Sequence, residues 1–352
     1  MIAFLASTPY HIFNCINLKE TLHKDEDAIL FIFVYCSYDE NITENVRKSG
    51  IFKKVQILTE PYNCSTPFRF LRQYFFPNRK KAGAIFSEVF DVLYITRSGY
   101  IPFYMYSHMK KCNPDLKVYF YEEGLADYLN SIRPTVMRRT RIISEIGYKD
   151  AYAAIDKMYM YQPELRQANL EQNGVPLPKV NETAYAAIKK AFAVDKIDIP
   201  EDCRLVYLDQ PFKVQLGFDV DDRHLLSLIE KVIPHENIYV KLHPGDTDIS
   251  RYEGYKIFPS QPYPWEVILG EMNPDKTILV AVSSTAASSP KTVYGREAKV
   301  IFTNGMFPDT PFLNIEGQRK YFAGLQKLYT DQSRFVMPTS DDEFIHALEN
   351  MR

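Results

Sequence analysis

Apolar residues in this chain fall in short runs separated by longer amphipathic stretches. Ile2 to Ala6 is followed by a helical pattern from Pro9 to about Leu22, then by Ala28 to Val34, a further helix, and Val55 to Leu58. A second set comprises Val92 to Ile95, a helix near Pro102 to Lys111, and Leu116 to Tyr121 running into Glu122-Glu123-Gly124. Alternation of this kind predicts βαβ units and a parallel sheet. Between Gln162 and Asp202 the pattern weakens. Pro163, Pro176, Pro178 and Pro200 punctuate a polar segment around one Ala-rich helical piece, Tyr185 to Phe192, which reads as an interdomain connection.

Beyond it the alternation resumes: Arg204 to Leu208, a helix from about Asp221 to Val232, Ile238 to Leu242, a helix near Trp265 to Gly270, Thr277 to Val282, and Lys299 to Phe302. The expected organisation is an N-terminal Rossmann-like domain over 1–162, a linker over 163–202, and a second doubly wound domain over 203–335. An amphipathic helix over 336–352, Ser340 to Met351 at its centre, is expected to return across the first domain. Two Rossmann-like halves facing a cleft make the GT-B arrangement of an α/β protein, in which ligands sit at the carboxyl ends of the strands.

Composition narrows the function. The 352 residues, 46% of them hydrophobic, suffice for two packed cores. Lys plus Arg (42) nearly cancels Asp plus Glu (44), so nucleic acid is not an expected partner. The five cysteines are scattered without metal or disulfide spacing, which fits a reducing compartment. The start, MIAFLASTPYH, has no basic region ahead of its apolar run, and no stretch approaches the roughly 18 apolar residues that cross a bilayer. A cytoplasmic protein is expected. Two basic stretches, 69–81 and 133–141, suit either an anionic lipid surface or a solvated helix face.

The candidate chemistry lies at strand ends. Tyr239 to Asp246 reads YVKLHPGD, an apolar strand ending in His243 ahead of a Pro-Gly turn. A strand-end imidazole can donate a proton to a leaving phosphate, or it can merely satisfy a loop carbonyl. Three hydroxyl residues, Ser283, Ser284 and Thr285, end a second buried strand ahead of helix formers. A helix start there would hold an anion through free N–H groups and hydroxyls, whereas a simple N-cap needs one hydroxyl. Glu266 falls in the first turn of a helix after three prolines, where a carboxylate can accept the two ribose hydroxyls of a nucleotide or complement the dipole. Candidates for a general base are Glu122 and Glu123, and Asp219, Asp221 and Asp222, of which Asp221 and Asp222 also suit a helix cap. Asp219-Val220-Asp221 and Asp246-Thr247-Asp248 match a DxD metal pattern, but so short a pattern recurs by chance.

In order and spacing, the acidic-acidic-Gly, the Lys-x-His-Pro and the Ser-Ser pair, together with the opening Ser7-Thr8-Pro9-Tyr10-His11, resemble the GT-B sialyltransferases of bacteria, glycosyltransferase family 52 above all. The resemblance spans residues 2 to 300. It implies an inverting enzyme that moves sialic acid from CMP-sialic acid to a galactoside of a surface glycan. His243 would be the general acid, and Ser283 and Ser284 would bind the phosphate. Lys241, Pro244 and Glu266 would line the cytidine site, with Gly245 and Thr285 completing the nucleotide-binding set. The base would be Glu123 or a second-domain aspartate, Asp221 narrowly favoured. The resemblance further implies a homodimer with exchanged helical elements, the segment after Gly124 being the candidate. No resident metal or cofactor is implied, since proton donation and serine donors suit a monophosphate leaving group. Two other readings stay open: a CDP-glycerol-type glycerophosphotransferase, and a non-catalytic glycan-binding assembly subunit.

Overall fold

A computed structural model describes residues 1–33, 40–58, 85–99, 101–132, 148–167, 174–213, 217–246, 249–310, 313 and 315–352. Both basic stretches, most of the segment after Gly124, and Thr247 and Asp248 of the second DxD lie outside them. The chain divides into two compact units, Met1–Asp195 with Pro262–Pro264, and Lys196–Gln261 with Trp265–Arg352. Each is a Rossmann-like α/β unit built on one parallel sheet.

In the first unit the strands are β1 (Ile2–Ala6), β2 (Ala28–Phe33), β3 (Lys54–Leu58), β4 (Val92–Ile95), β5 (Lys117–Tyr121), β6 (Ile155–Met160) and β7 (Gly174–Pro176). Their order is β3-β2-β1-β4-β5-β6-β7, all parallel. β1 and β2 are buried along their whole length, as strands covered on both faces must be. Helix α1 (Pro9–Leu22) starts where the sequence says it should. Thr8 is its N-cap, accepting the His11 N–H at 3.2 Å, and Pro9 opens the first turn, where no N–H is needed.

The described residues of the first unit also hold α2 (Glu40–Ser49), α3 (Ile101–Cys112), α4 (Leu125–Leu129) and α5 (Glu182–Ala191). Helix α5 buries Ala184, Ile188 and Ala191 and packs on α1 and α2. Residues 163–195 of the segment expected as a linker are therefore part of the first unit: they supply edge strand β7, paired with β6, and a helix of the outer layer. Pro176 lies in that edge strand, at the rim of the sheet, where a missing N–H costs little.

The second unit repeats the plan with β8 (Leu205–Leu208), β9 (Ile238–Lys241), β10 (Lys256–Ile257), β11 (Ile278–Ala281), β12 (Lys299–Phe302) and β13 (Phe335–Val336), in the order β10-β9-β8-β11-β12-β13. Counted from each unit's first strand, both sheets share the order 3-2-1-4-5-6, which the first extends with its seventh strand, and the crossover direction reverses between strands 1 and 4. Those switch points lie between β1 and β4, and between β8 and β11.

The helices of this unit are α6 (Asp222–Glu230), α7 (Trp265–Glu271), α8 (Ser289–Tyr294), α9 (Glu316–Lys327) and α10 (Asp341–Met351). The final helix belongs to the second unit. Phe344, Ala347, Leu348 and Met351 form a stripe that enters the second unit's core beside Leu225, Leu228 and Ile229, and α10 packs on α6. The amphipathic pattern fixes which face is buried but not what buries it. Among the described residues no helix is long and apolar enough to cross a membrane.

Candidate functional site

The carboxyl edge of the second sheet carries most of the predicted site. β8 lies between β9 and β11 and ends in Asp209-Gln210, and these two neighbours reach in opposite directions. The Asp209 carboxylate accepts the backbone N–H of His243, just past β9, at 2.9 Å. The Gln210 amide clasps Ser283, just past β11: its Oε1 accepts the Ser283 N–H at 2.7 Å and its Nε2 donates to Ser283 Oγ at 3.3 Å. His243 and Ser283 are thus held on one edge, two strand spacings or roughly 10 Å apart.

His243 is half-buried, between exposed Pro244 and Gly245 on one side and half-buried Leu242 on the other. Its Nδ1 accepts the Gly245 N–H at 3.0 Å, which leaves the ring proton on Nε2 with no acceptor among the described residues. Burial and the nearby Lys241 ammonium hold its pKa below the ordinary imidazole value. The turn has little room: a Cβ at Gly245 would lie 3.3 Å from His243 Nδ1.

Ser283 is buried, whereas Ser284 and Thr285 are half-buried and their hydroxyls make no hydrogen bond among the described residues. The helix start expected here is of a different kind. A 3-10 turn, Thr285–Ala287, comes first, and the short α8 follows from Ser289. Pro290 at the start of α8 accounts for the delay, since it is tolerated only in a first turn. Glu266, in the first turn of α7, ties this segment to β9: its Oε1 accepts from Ser289 Oγ at 3.2 Å, and it attracts the Lys241 ammonium. Burial raises the Glu266 carboxyl and lowers the Lys241 amine. Lys241, His243, Pro244, Gly245, Glu266, Ser283, Ser284 and Thr285 therefore share one edge of one unit.

Under that edge lies a cluster that the sequence motifs do not announce. Arg251 meets three carboxylates: Asp209 at 2.5 Å, Asp222 at 3.3 Å, and Asp246. Tyr252 donates its hydroxyl to Asp209 at 2.6 Å, and Tyr207 donates to Asp222. Burial raises Asp222 to about 6. Asp221, the narrowly favoured base, is exposed and caps α6 by accepting the His224 N–H at 2.9 Å. Asp219 is exposed as well and pairs with Lys213 at 3.3 Å. Asp209-Gln210 follows a buried strand just as Glu122-Glu123 does, so the same strand-end argument, applied to β8, points to it.

The first unit holds its own polar cluster past β1, β4 and β5. Glu122 is buried, and its Oε2 accepts from the Tyr161 N–H at 2.9 Å and from the Tyr128 hydroxyl. Desolvation pushes its carboxyl up to about 8. Glu123 faces the other way. Its Oε1 accepts from the Arg97 N–H at 2.7 Å and from the Thr96 hydroxyl, and lies 3.5 Å from His11 Nε2. Among the described residues its Oε2 has no hydrogen-bond partner. Gly124 follows at φ +145°, a backbone setting that side chains avoid. It lets the Glu123 N–H reach Asp127 Oδ2 at 2.7 Å, while Asp127 Oδ1 holds Arg97 Nε at 2.6 Å.

Comparison with known proteins adds a family. The family model described as alpha-2,8-polysialyltransferase (POLYST) matches residues 3–287, which includes every strand-end motif above. None of the curated proteins matches the chain. Among solved structures, the chain is similar to UGT2 of Phytolacca americana complexed with UDP-2fluoro-glucose and pterostilbene, at 9% identity and a TM-score of 0.48, covering 99% of this chain and 89% of that one. It is similar to TcCGT1 in complex with UDP, at 11% identity and a TM-score of 0.48 with the same coverage. It is also similar to the spinosyn rhamnosyltransferase SpnG complexed with thymidine diphosphate, at 10% identity and 0.46, covering 100% of this chain and 91% of that one. The family match, rather than these neighbours, carries the functional reading.

Proposed function

The chain belongs to the alpha-2,8-polysialyltransferase (POLYST) family, and from that premise we propose that it is an inverting sialyltransferase that takes sialic acid from CMP-sialic acid and adds it to a sialylated glycan. The observation that carries the donor reading is the Asp209-Gln210 pair, which holds His243 and Ser283 on one strand edge. The edge offers a phosphate the Nε2–H of His243 and the hydroxyls of Ser284 and Thr285, all without competing partners among the described residues. Glu266 and Lys241 suit the ribose and cytosine. The family name makes a sialic acid hydroxyl the preferred acceptor over the galactoside that the resemblance to family 52 implies.

In the proposed reaction an acceptor hydroxyl attacks the anomeric carbon of sialic acid, and the bond to the phosphate oxygen breaks. His243 donates to that oxygen as negative charge grows on it. Full proton transfer requires Nδ1 to be protonated first, so the contact from the Gly245 N–H has to yield. The charge of a bound phosphate favours that step, because a nearby anion stabilises imidazolium. We assign the base to Glu123 rather than Asp221, since Glu123 presents a carboxylate oxygen with no partner among the described residues while Asp221 is engaged as a helix cap. Metal independence is part of the proposal, with hydrogen-bond donors and proton transfer taking the place of a cation at a monophosphate.

The test is incubation with CMP-sialic acid and either a disialylated or a galactose-terminated oligosaccharide, with and without EDTA. CMP release and mass growth on the sialylated acceptor are expected in both buffers. Extension of the galactoside alone restores the family 52 acceptor. Absence of CMP release on both, with turnover of CDP-glycerol, would overturn the reading.

A further inference from the structure

The opening Ser7-Thr8-Pro9-Tyr10-His11 does more than start a helix. β1 ends at Ala6, and the turn into α1 brings Ser7 against the ring of His11. Nδ1 of His11 accepts from the Ser7 hydroxyl at 2.8 Å and faces the Ser7 N–H at 3.2 Å. With Nδ1 occupied as an acceptor, the ring proton must sit on Nε2. That N–H faces Glu123 Oε1 at 3.5 Å. The ring is buried, edge-on to Tyr121 with centroids 5.9 Å apart, so it has no room to turn.

We propose that Ser7 and His11 are positioning residues for Glu123: with Thr96 and the Arg97 N–H they hold Oε1, so that Oε2 is aimed to take the proton of the acceptor hydroxyl. This rests on the transferase reading above and deepens it. In the step, the acceptor O–H bond breaks and its proton passes to Glu123 Oε2. The oxygen forms its bond to the anomeric carbon, and CMP departs with the electron pair of the bond it loses. His11 keeps its own proton throughout. Its neutrality follows from its burial, which depresses its pKa to about 4, and a neutral ring cannot form an ion pair that would quench the base. An N–H dipole 3.5 Å from the ionised carboxylate favours that form electrostatically. Losing the His11 N–H dipole therefore moves the protonation of Glu123 to higher pH.

The test is the pH profile of kcat/KM for transfer in Ser7→Ala, Ser7→Thr and His11→Gln, with CMP affinity measured by calorimetry on the same proteins. Ser7→Ala and His11→Gln are expected to lower transfer by a factor of about ten or more and to move the acidic limb upward, with the CMP Kd unchanged. Ser7→Thr, which keeps the hydroxyl, restores the wild-type profile. In the Glu123→Gln background His11→Gln should cost nothing further, because the group it positions is already gone. Imidazole ¹⁵N shifts of the wild-type protein provide a readout apart from activity: His11 should be neutral with its proton on Nε2. An Nδ1–H tautomer, or variant profiles that superimpose on wild type, overturns the inference. Wild-type protein that releases no CMP overturns instead the transferase reading on which it rests.

Discussion

Gln210 holds Ser283 at both ends of its amide, accepting the backbone N–H at 2.7 Å and donating to the hydroxyl at 3.3 Å. A bidentate clasp across the switch point between β8 and β11 fixes where the turn after β11 begins. It thereby fixes the position of Ser284 and Thr285. Gln210→Ala leaves the buried Ser283 N–H without its acceptor, and a lost bond of this kind costs about 1 kcal/mol or more. We expect the KM for donor to rise about tenfold with a smaller change in kcat, as for a group that binds ground and transition states alike. An unchanged KM would detach the clasp from donor binding.

His243 has a different kinetic signature. In the proposed reaction it offers the ground state little beyond one hydrogen bond, and its contribution grows as the phosphate oxygen takes charge. His243→Ala should depress kcat by a factor on the order of 10² or more while CMP still binds. Near-normal turnover would remove the imidazole from the chemistry.

The two candidate bases separate cleanly. Asp221→Asn keeps a side chain that caps helices as well as aspartate does, so α6, stability and turnover are all expected to stay near wild type. Glu123→Gln removes the carboxylate that is to accept a proton, and a fall of 10² to 10⁴ is the usual scale for that loss. The reverse result, with Asp221→Asn inactive and Glu123→Gln active, would reassign the base.

How much of this is legible in the sequence depends on the kind of signal. Thr8-Pro9 states its helix start outright, and α1 begins at Pro9. β1 and β4 match their apolar runs to the residue, because a strand buried on both faces must be apolar throughout. The region from 163 to 202 reads as a linker because its strand is short, at the sheet rim and rich in proline, so it carries no long apolar run. The destination of α10 is a matter of tertiary packing that an amphipathic stripe leaves open. At the site, His243 and Ser283 stand out by their motifs, whereas Asp209, Gln210 and Arg251 act through contacts between strand ends and a loop. Only the strand order, with β8 between β9 and β11, reveals them.

Glu122 gives the fold a pH signature that is independent of catalysis. Its Oε2 takes both hydrogen bonds, which leaves Oε1 to carry the proton that burial imposes. The native carboxyl stays protonated up to about pH 8, while the unfolded one ionises near its ordinary 4.5. Between those values the native state binds more protons than the unfolded state, so stability falls as pH rises through that window, by on the order of 5 kcal/mol in total. Glu122→Gln should flatten that slope and raise stability at pH 7 to 8, as read by urea unfolding at several pH values. A slope equal to that of wild type would show that the proton lies elsewhere.

Arg251 contacts the three carboxylates of Asp209, Asp222 and Asp246, each nearly inaccessible, with side-chain exposures of 0%, 3% and 3%. Removing one partner of a buried ionic group typically costs 3–5 kcal/mol, chiefly because the charges left behind remain desolvated. Arg251→Leu should therefore destabilise the second unit by about that amount near neutral pH, and less in acid, where the carboxylates take up protons instead. Since Asp209 also holds the His243 N–H, turnover should fall with stability. Adding Asp222→Asn removes one of the stranded charges while keeping an acceptor for the Tyr207 hydroxyl, so the double variant should recover part of the lost stability. Urea unfolding of the single and double variants at pH 5 and 7.5 decides the matter. If Arg251→Leu is as stable as wild type at pH 7.5, the guanidinium is not what keeps those carboxylates buried.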